Sequence, residues 1–164
     1  MALTRKHIAV YAESTFKKNP GITAWASLMK YKSHTATASG FNATSTNKRG
    51  ELLSVISALE KLKEPCDVTI YTSSGYAYRG INDLMITWER NNWTRSKGRP
   101  LANVDLWKKL YTLCQKHTVK VMLLRDKTAN KHTMSVISMA KATLKEAIAA
   151  IKKKMSLALD VLRA

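Results

Sequence analysis

Three hydroxyl side chains follow one short apolar segment, at a position where α/β proteins place chemistry. Residues 66–72 (CDVTIYT) read as a buried strand that ends on Thr72, with Ser73 and Ser74 next. Binding and active sites of open α/β sheets lie outside the carboxyl ends of the strands. Hydroxyls can cap a following helix, but a hard metal ion prefers anionic oxygen ligands. These residues therefore leave open whether the site catalyses a reaction or only binds a ligand.

Net charge is the strongest signal about partners. The 164 residues contain 28 Lys and Arg against 11 Asp and Glu, a formal net charge of +17. A surface this positive repels itself unless a polyanion lies nearby, so the composition favours a nucleic-acid partner. An anionic membrane surface is a weaker alternative, and no apolar run is long enough to cross a membrane.

Cysteine usage and the first residues limit the remaining classes. Cys66 and Cys114 form no CxxC pair, which predicts reduced, packed thiols and no zinc site. The first residues lack the apolar core and cleavage site of a signal peptide. We therefore expect a protein that is not secreted and is cytoplasmic or associated with nucleic acid, with no membrane partner.

The spacing of apolar residues predicts the strands and helices that position these hydroxyls. An alternating strand is predicted at 7–13, and NPG at 19–21 predicts a turn. Strand-like stretches at 22–32 and 35–44 complete an antiparallel meander. The near-continuous apolar run at 66–72 predicts a central, buried strand.

Helices are predicted around the later strands. One helix runs from about Lys48 to just before Pro65, with a core-facing stripe at i, i+3, i+4 and i+7 formed by Leu52, Val55, Ile56 and Leu59. Further helices are predicted at 75–82, at 83–92, from Asn103 or Asp105, and from Thr133 onward. A basic loop is predicted at 94–100 and a last strand at 119–125. This order predicts an α/β fold with a five-stranded mixed sheet flanked by helices.

Several motifs in this order closely resemble the ribonuclease H type 1 family. They are NPG at 19–21, TNKRGELLSVISALEKLKEPCDVTIYT at 46–72 and GINDLMITWERNNWTRSKGRPLANVDLWKKL at 80–110. The last is the most specific, because it looks like the basic protrusion of family members, here called the handle (residues 88–100). The resemblance covers roughly residues 6–142, and it implies an RNase H-like domain at 1–142 with a C-terminal helical extension at 143–164.

The resemblance implies two-metal cleavage of the RNA strand of an RNA–DNA hybrid, but only part of the required site. Family enzymes use four carboxylates, since two adjacent cations need anionic ligands to offset their repulsion. Glu13 and Glu51 match two of these positions, whereas the other two fall on Ser73 and Ile137. The expected site is therefore a remnant without a cofactor, and Glu13 and Glu51 bind Mg²⁺ or Mn²⁺ weakly at most.

Four further assignments concern the remnant site. Asp126, at the end of the last predicted strand, could supply a replacement ligand, although it is offset from the lost position. His132 could act as a displaced general acid or base, although a His in a basic loop is more often solvated. Lys127 stands at the position of the family's mobile His. Glu13 and Glu51 could equally be surface acids at a sheet edge.

The surface that binds nucleic acid in family members is better preserved than the acids. Thr46 and Asn47 match groove-reading residues, while two amide positions have become Lys48 and Gly75. The family's handle tryptophans pack the handle and help line a DNA-strand channel, and packing alone is the alternative role. The predicted nucleic-acid-binding residues are Asn19, Thr46, Asn47, Lys48, Trp88, Arg90, Trp93, Arg95, Lys97, Arg99, Lys108 and Lys127.

Three functions remain open. The first is a non-catalytic module that binds RNA, an RNA–DNA hybrid or duplex through the handle and the remnant groove. The second is an active, metal-dependent ribonuclease H with an altered site. The third is a protein-binding scaffold or inhibitor recruited through 144–164, whose stripe could also pack on the sheet or pair with a second copy. The stripe comprises Leu144, Ile148, Ile151, Met155 and Leu162. Charge and the broken acid set favour the first.

Overall fold

The computed structural model describes residues 4–164 and has the expected order of elements. The strands are β1 (Lys6–Lys17), β2 (Ile22–Tyr31), β3 (His34–Asn42), β4 (Cys66–Thr72) and β5 (Thr118–Leu123). The α-helices are α1 (Asn47–Lys61), α2 (Gly75–Arg79), α3 (Met85–Arg90), α4 (Val104–Lys116) and α5 (Lys131–Arg163). Shorter turns are a π-helical turn at Gly80–Leu84 and 3-10 turns at Ser96–Gly98 and Lys127–Ala129. The first three residues of the predicted domain lie outside the described part.

The five strands form one mixed sheet in the order β3-β2-β1-β4-β5. Strand β1 is antiparallel to β2 and parallel to β4, and β5 is parallel to β4. The predicted five-stranded mixed sheet is therefore confirmed. Because β1 and β4 run in the same direction at its centre, their carboxyl ends meet at one edge of the sheet.

Strand β1 is longer than predicted. It continues from Glu13 to Lys17 in register with β2, where Lys17 pairs with Ile22, although β4 has already ended at Thr72. The prediction stopped early because the side chains after Glu13 no longer alternate between apolar and polar. The extension places Glu13 inside a paired strand rather than at its end.

Two apolar layers cover the two faces of the sheet. The predicted stripe of α1 is buried, with relative exposures of 0–2% for Leu52, Val55, Ile56 and Leu59. Trp107 and Leu110 of α4 belong to the same cluster and are fully buried. On the other face, α5 packs on β1, β2 and β3 through a smaller cluster that includes Val136 and Ala140.

The predicted helices at 75–82 and 83–92 form one broken helical run. A π-helical turn at Gly80–Leu84 joins α2 to α3. Gly80 lies so close to the indole of Trp107 that a Cβ there would be 2.0 Å from Cη2. Only glycine permits this approach, so Gly80 sets how closely the helical run packs on α4.

Helix α5 is continuous from Lys131 to Arg163, so the predicted boundary between 142 and 143 falls inside a helix. The division into two parts stays a prediction. Leu144, Ile148 and Ile151 are half-buried, so the stripe packs on the same chain up to this point. Within residues 4–164, no helix combines the length and apolar character that crossing a bilayer requires.

Both cysteines are free thiols, as predicted. Cys66 is buried and Cys114 is half-buried. Burial raises the pKa of the Cys114 thiol to about 12, so this group stays protonated at neutral pH and is a poor nucleophile.

His117 joins the end of α4 to the start of β4. Its Nδ1 accepts a hydrogen bond from the backbone N–H of Cys66 at 3.1 Å. Its Nε2 is buried without a hydrogen-bond partner. Burial, together with the positive charges of Lys116 and Arg5, lowers the pKa of His117 below the ordinary value of 6.5. The fold therefore favours the neutral imidazole.

We expect the free energy of unfolding to fall as the pH drops below about 6.5, because the unfolded chain then binds more protons than the folded one. Denaturant titrations at a series of pH values would measure this. His117→Asn, whose amide oxygen can still accept from Cys66, should flatten the profile. The pKa of His132 is also lowered, mainly by burial. The variant His132→Asn therefore separates the contribution of His132 to the pH profile from that of His117. An identical profile in His117→Asn would contradict the assignment.

Candidate nucleic-acid interface and remnant acid site

Glu13 and Ser73 form the floor of the candidate site. Tyr11 pairs with Tyr71 across β1 and β4, and two residues further along this register Glu13 lies beside Ser73. The Ser73 backbone N–H and its Oγ–H donate to the two Glu13 carboxylate oxygens, at 2.9 and 2.7 Å. Glu13 is only 5% exposed. The alternative of a surface acid at a sheet edge is therefore wrong for Glu13, because β1 is a central strand.

The charge on Glu13 depends on its neighbours. Burial raises the pKa of the Glu13 carboxyl, and the two hydrogen bonds from Ser73 oppose this increase. The positive charge of Lys127 also lowers this pKa, while the negative charge of Glu51 raises it. Desolvation disfavours a buried carboxylate, and hydrogen bonds to its charged form compensate. Ser73 thus compensates part of the desolvation of Glu13, whose pKa stays above its ordinary value.

Glu51 reaches the site from the first turns of α1. Thr46 caps this helix by accepting a hydrogen bond from the Arg49 backbone N–H at 3.3 Å. Gly50 allows the helix to lie against β2, because a Cβ there would be 1.8 Å from Thr23 Oγ1. The buried Oε2 of Glu51 has no hydrogen-bond partner, and the Lys48 ammonium lies 3.6 Å away. Glu51 is therefore held near the floor with one oxygen unsatisfied.

These residues surround a polar cavity of about 130 Å³. Its lining combines hydroxyls, an amide, two carboxylates and one ammonium: Glu13, Ser14, Asn47, Glu51, Ser54, Thr72, Ser73, Ser74 and Lys127. Lys127 comes from the 3-10 turn that precedes α5. The structure thus brings together Glu13, Glu51 and Ser73, with Lys127 at the rim.

The donor set does not fit the metal pair that the resemblance implied. Mg²⁺ is held by several oxygens, preferably carboxylates. Both oxygens of Glu13 already accept from Ser73, and Glu51 is the one other carboxylate among the residues that line the cavity. Ile137 is half-buried on α5 and does not line the cavity. Among residues 4–164, no group of three or more His, Cys, Asp or Glu side chains could hold a metal ion.

Asp126 and His132 lie outside the cavity. Asp126 is exposed, and its Oδ1 accepts hydrogen bonds from the N–H and hydroxyl of Thr128, at 2.9 and 2.7 Å. It therefore caps the 3-10 turn rather than replacing a metal ligand. His132 is half-buried and packs on Tyr11, with ring centroids 4.9 Å apart. It is neither fully solvated nor placed to act as a general acid or base on the cavity floor.

A polar network joins the start of α1 to the chain that returns from the handle. Arg49 donates to both carboxylate oxygens of Asp105, at 2.9 and 2.7 Å, and this interaction lowers the pKa of Asp105. Asn103, in the left-handed region at φ 59°, donates to the Tyr76 hydroxyl at 3.0 Å. Trp107 Nε1 donates to the same hydroxyl. The sequence pattern did not identify Arg49 as the partner of Asp105, because the two residues are 56 positions apart. The local signal was the acidic residue, Asp105, in the first turn of α4.

The handle tryptophans pack inward, while the handle's charges face outward. Trp88 lies against Trp107, with centroids 4.9 Å apart, and Trp93 meets Tyr111 edge to face at 5.6 Å. Both indoles are half-buried. The exposed basic side chains on and beside the handle are Arg90, Arg95, Lys97, Arg99 and Lys108. Packing is thus the role observed for the tryptophans, and the cations remain accessible.

Three other predicted binding residues surround the start of α1. Thr46 and Asn47 are exposed there, and Asn47 also lines the cavity. The Lys48 ammonium lies 4.9 Å from the ring centroid of Tyr76, in addition to its contact with Glu51. Asn19 is exposed in the turn between β1 and β2. Lys109, which adjoins Lys108, is paired with Glu60 at 2.5 Å and is less available to a ligand.

The RNase H family model matches residues 5–142. Ribonuclease H of Caldicellulosiruptor saccharolyticus is 34% identical over 142 residues, which cover 86% of this chain and 98% of that protein. Ribonuclease H of Methylobacillus flagellatus is 39% identical over 123 residues, 75% of this chain and 82% of that protein.

Solved structures are similar in fold. LC9-RNase H1, a type 1 RNase H with the type 2 active-site motif, gives a TM-score of 0.74 at 20% identity, covering 87% of this chain and 74% of that one. LC11-RNase H1 in complex with an RNA/DNA hybrid gives a TM-score of 0.57 at 16% identity, covering 79% and 92%. At these identities, the structures bear on the fold alone.

Ser73→Ala tests the hydrogen bond on the floor of the cavity. We expect the free energy of unfolding at neutral pH to fall by roughly 1.5–3 kcal/mol, the range for a hydrogen bond to a charged group. The loss should shrink in acid, where Glu13 becomes neutral, since its folded-state pKa is raised. Denaturant titrations of Ser73→Ala, Glu13→Gln and the double variant would measure the coupling between the two side chains. An equal cost of Ser73→Ala with and without Glu13 would refute the interaction.

Proposed function

The chain belongs to the RNase H family, and from this premise we propose that it binds nucleic acid on the family fold without cleaving it. The observation that carries the proposal is the pair formed by Glu13 and Ser73. A hydroxyl occupies the position of an expected carboxylate, and it donates to the acid that remains. Two-metal cleavage needs more anionic ligands than Glu13 and Glu51, the two acids that line the cavity, supply.

The distribution of charge supports binding to phosphates. The net charge of +17 includes exposed cations on the handle, beside the tryptophans that hold the handle in place. Each phosphate neutralised on a duplex releases counterions, which adds about 0.9 to the slope of log affinity against log salt. The affinity should therefore be strongly salt-dependent and require no metal.

The cavity supports a preference for ligands that contain RNA. Its hydroxyls, the Asn47 amide and the free oxygen of Glu51 are hydrogen-bonding groups beside the helix terminus. The 2′-OH both donates and accepts, and it lets a protein distinguish RNA from DNA. The similar LC11-RNase H1 was solved with an RNA/DNA hybrid. We therefore propose RNA or an RNA–DNA hybrid as the ligand.

The missing carboxylates also favour binding without metal. In a two-metal enzyme, the acids repel phosphates until cations screen them. Here two of the four positions carry Ser73 and Ile137, and Lys127 adds a positive charge at the rim. Less negative charge on the floor lowers the electrostatic cost of admitting a phosphate backbone.

The alternative is an active, metal-dependent ribonuclease H with an altered site. The specific observation in its favour is that Glu13 and Glu51 still line one cavity. Relatives that are 34% and 39% identical are named ribonuclease H. This alternative requires a further ligand, and Asp126 is committed to Thr128 instead.

Charge reversal tests the handle. Lys97→Glu/Arg99→Glu should weaken binding to RNA, hybrid and duplex alike by roughly tenfold or more at low salt, and it should reduce the salt slope by about 1 for each phosphate that the handle no longer neutralises. Fluorescence anisotropy at several salt concentrations would measure both. Lys63→Glu/Lys141→Glu, with the same charge change at two exposed positions outside the handle, is the matched control. Equal losses in both variants would indicate a nonspecific effect of net charge and not a handle interface.

A cleavage assay separates the two functions. With labelled RNA, DNA, duplex and hybrid, we expect gel shifts without metal and no new fragments when Mg²⁺ or Mn²⁺ is added. Ribonuclease H of Methylobacillus flagellatus, assayed beside it, is the positive control for metal-dependent fragments of the hybrid. Fragments from the unsubstituted chain that disappear in Glu51→Gln would overturn the non-catalytic proposal.

A further inference from the structure

The last turns of α5 expose apolar side chains that the chain itself leaves uncovered. Met155, Leu157, Leu159, Val161 and Leu162 are exposed by 62, 58, 50, 75 and 82%. All residues from 152 to 163 are exposed, so the helix extends about 18 Å beyond Ile151 at 1.5 Å per residue. An isolated segment of this length is marginally stable as a helix in water. A helix with so much exposed apolar area is therefore expected to be covered by a partner.

The spacing along α5 identifies the kind of partner. The apolar residues recur at alternating intervals of four and three: Leu144, Ile148, Ile151, Met155, Ala158 and Leu162. This is the a/d pattern of a heptad repeat, whose seam faces another helix with the same repeat. Ile148, Met155 and Leu162 occupy a positions, and the others occupy d positions. The seam begins where α5 still packs on the sheet and continues into the exposed turns.

The charged residues beside the seam favour one arrangement of two identical helices. Antiparallel pairing that sets Ile151 against Leu162 brings the two exposed segments together along their whole length. Lys152 then lies against Leu159, and Lys154 against Val161, so that lysine stems cover apolar atoms while their ammonium groups reach water. Parallel pairing also avoids contacts between lysines, but it places the two strongly basic RNase H-like parts at the same end of the pair. The antiparallel arrangement keeps them at opposite ends, which lowers the repulsion between them.

We propose that α5 pairs with the α5 of a second copy of this chain, antiparallel, through residues 151–162. The two copies are related by a two-fold axis perpendicular to the helices. The dimer carries two copies of the handle, so one polyanion can engage both basic surfaces. This proposal does not depend on whether the RNase H-like part cleaves or only binds.

Charge controls the strength of the pairing. Each copy carries +17, so the two copies repel each other even in an antiparallel pair. This repulsion opposes association, and added salt screens it. Dimerisation should therefore strengthen with salt, whereas binding of nucleic acid should weaken. The opposite salt dependences distinguish the two processes.

Sedimentation of the full chain tests the proposal over a roughly hundredfold range of concentration, where a mass-action equilibrium is visible. We expect a monomer–dimer equilibrium that shifts toward dimer with added salt. Met155→Glu/Leu162→Glu should be monomeric throughout. Ala149→Glu/Ser156→Glu adds the same charge on the exposed, opposite side of the helix and should dimerise as the unsubstituted chain does.

Cross-linking tests the orientation. In the antiparallel pair Ile151 of one copy faces Leu162 of the other, so a mixture of Ile151→Cys and Leu162→Cys chains should form a disulfide between the two variants under mild oxidation, whereas Leu162→Cys alone should not. A monomer at every concentration and salt would overturn the proposal, as would equal dimerisation of Met155→Glu/Leu162→Glu and its control. Cross-linking of Leu162→Cys with itself, in a yield equal to that of the mixture, would overturn the antiparallel pairing.

Discussion

A buried carboxylate cannot remain charged without compensation, and this constraint organises the centre of the molecule. Glu13 lies on the central strand with 5% exposure, where desolvation favours its neutral form. Two donors from Ser73 and the charge of Lys127 oppose that tendency. In a metal-dependent nuclease, cations fill this role. Here a neighbouring hydroxyl and an ammonium offset part of the desolvation, and burial still leaves the pKa of Glu13 raised.

The surrounding structure holds this arrangement and connects it to the handle. Gly50 lets α1 approach β2 and brings Glu51 to the cavity. Arg49, one residue earlier, reaches Asp105 at the start of α4. Trp107 then packs against Trp88 and donates to the Tyr76 hydroxyl. These contacts form one packed cluster that connects the floor of the cavity to the handle, whose cations are exposed. A packed frame of this kind suits binding to an extended ligand.

Charge and exposed apolar area favour different partners. The net charge of +17 favours polyanions and opposes contact between copies, because like charges repel. The exposed apolar side chains of the last turns of α5 favour burial against a helix. A polyanion relieves the repulsion that limits the second interaction. Binding of nucleic acid and pairing of the helices would therefore support each other.

Local pattern was sufficient for the element order, the mixed sheet and the buried stripe of α1, because periodicity and turn residues act over a few positions. The strongly positive charge and the absence of acids at positions 73 and 137 were equally visible in the sequence. Only the tertiary structure decided that Ser73 donates to Glu13, that Arg49 pairs with Asp105, and that Asp126 faces away from the cavity. These contacts depend on strand register and helix packing, which join residues distant in sequence. The same reason explains α5: the sequence determined its apolar stripe, but only packing showed where the sheet stops covering it.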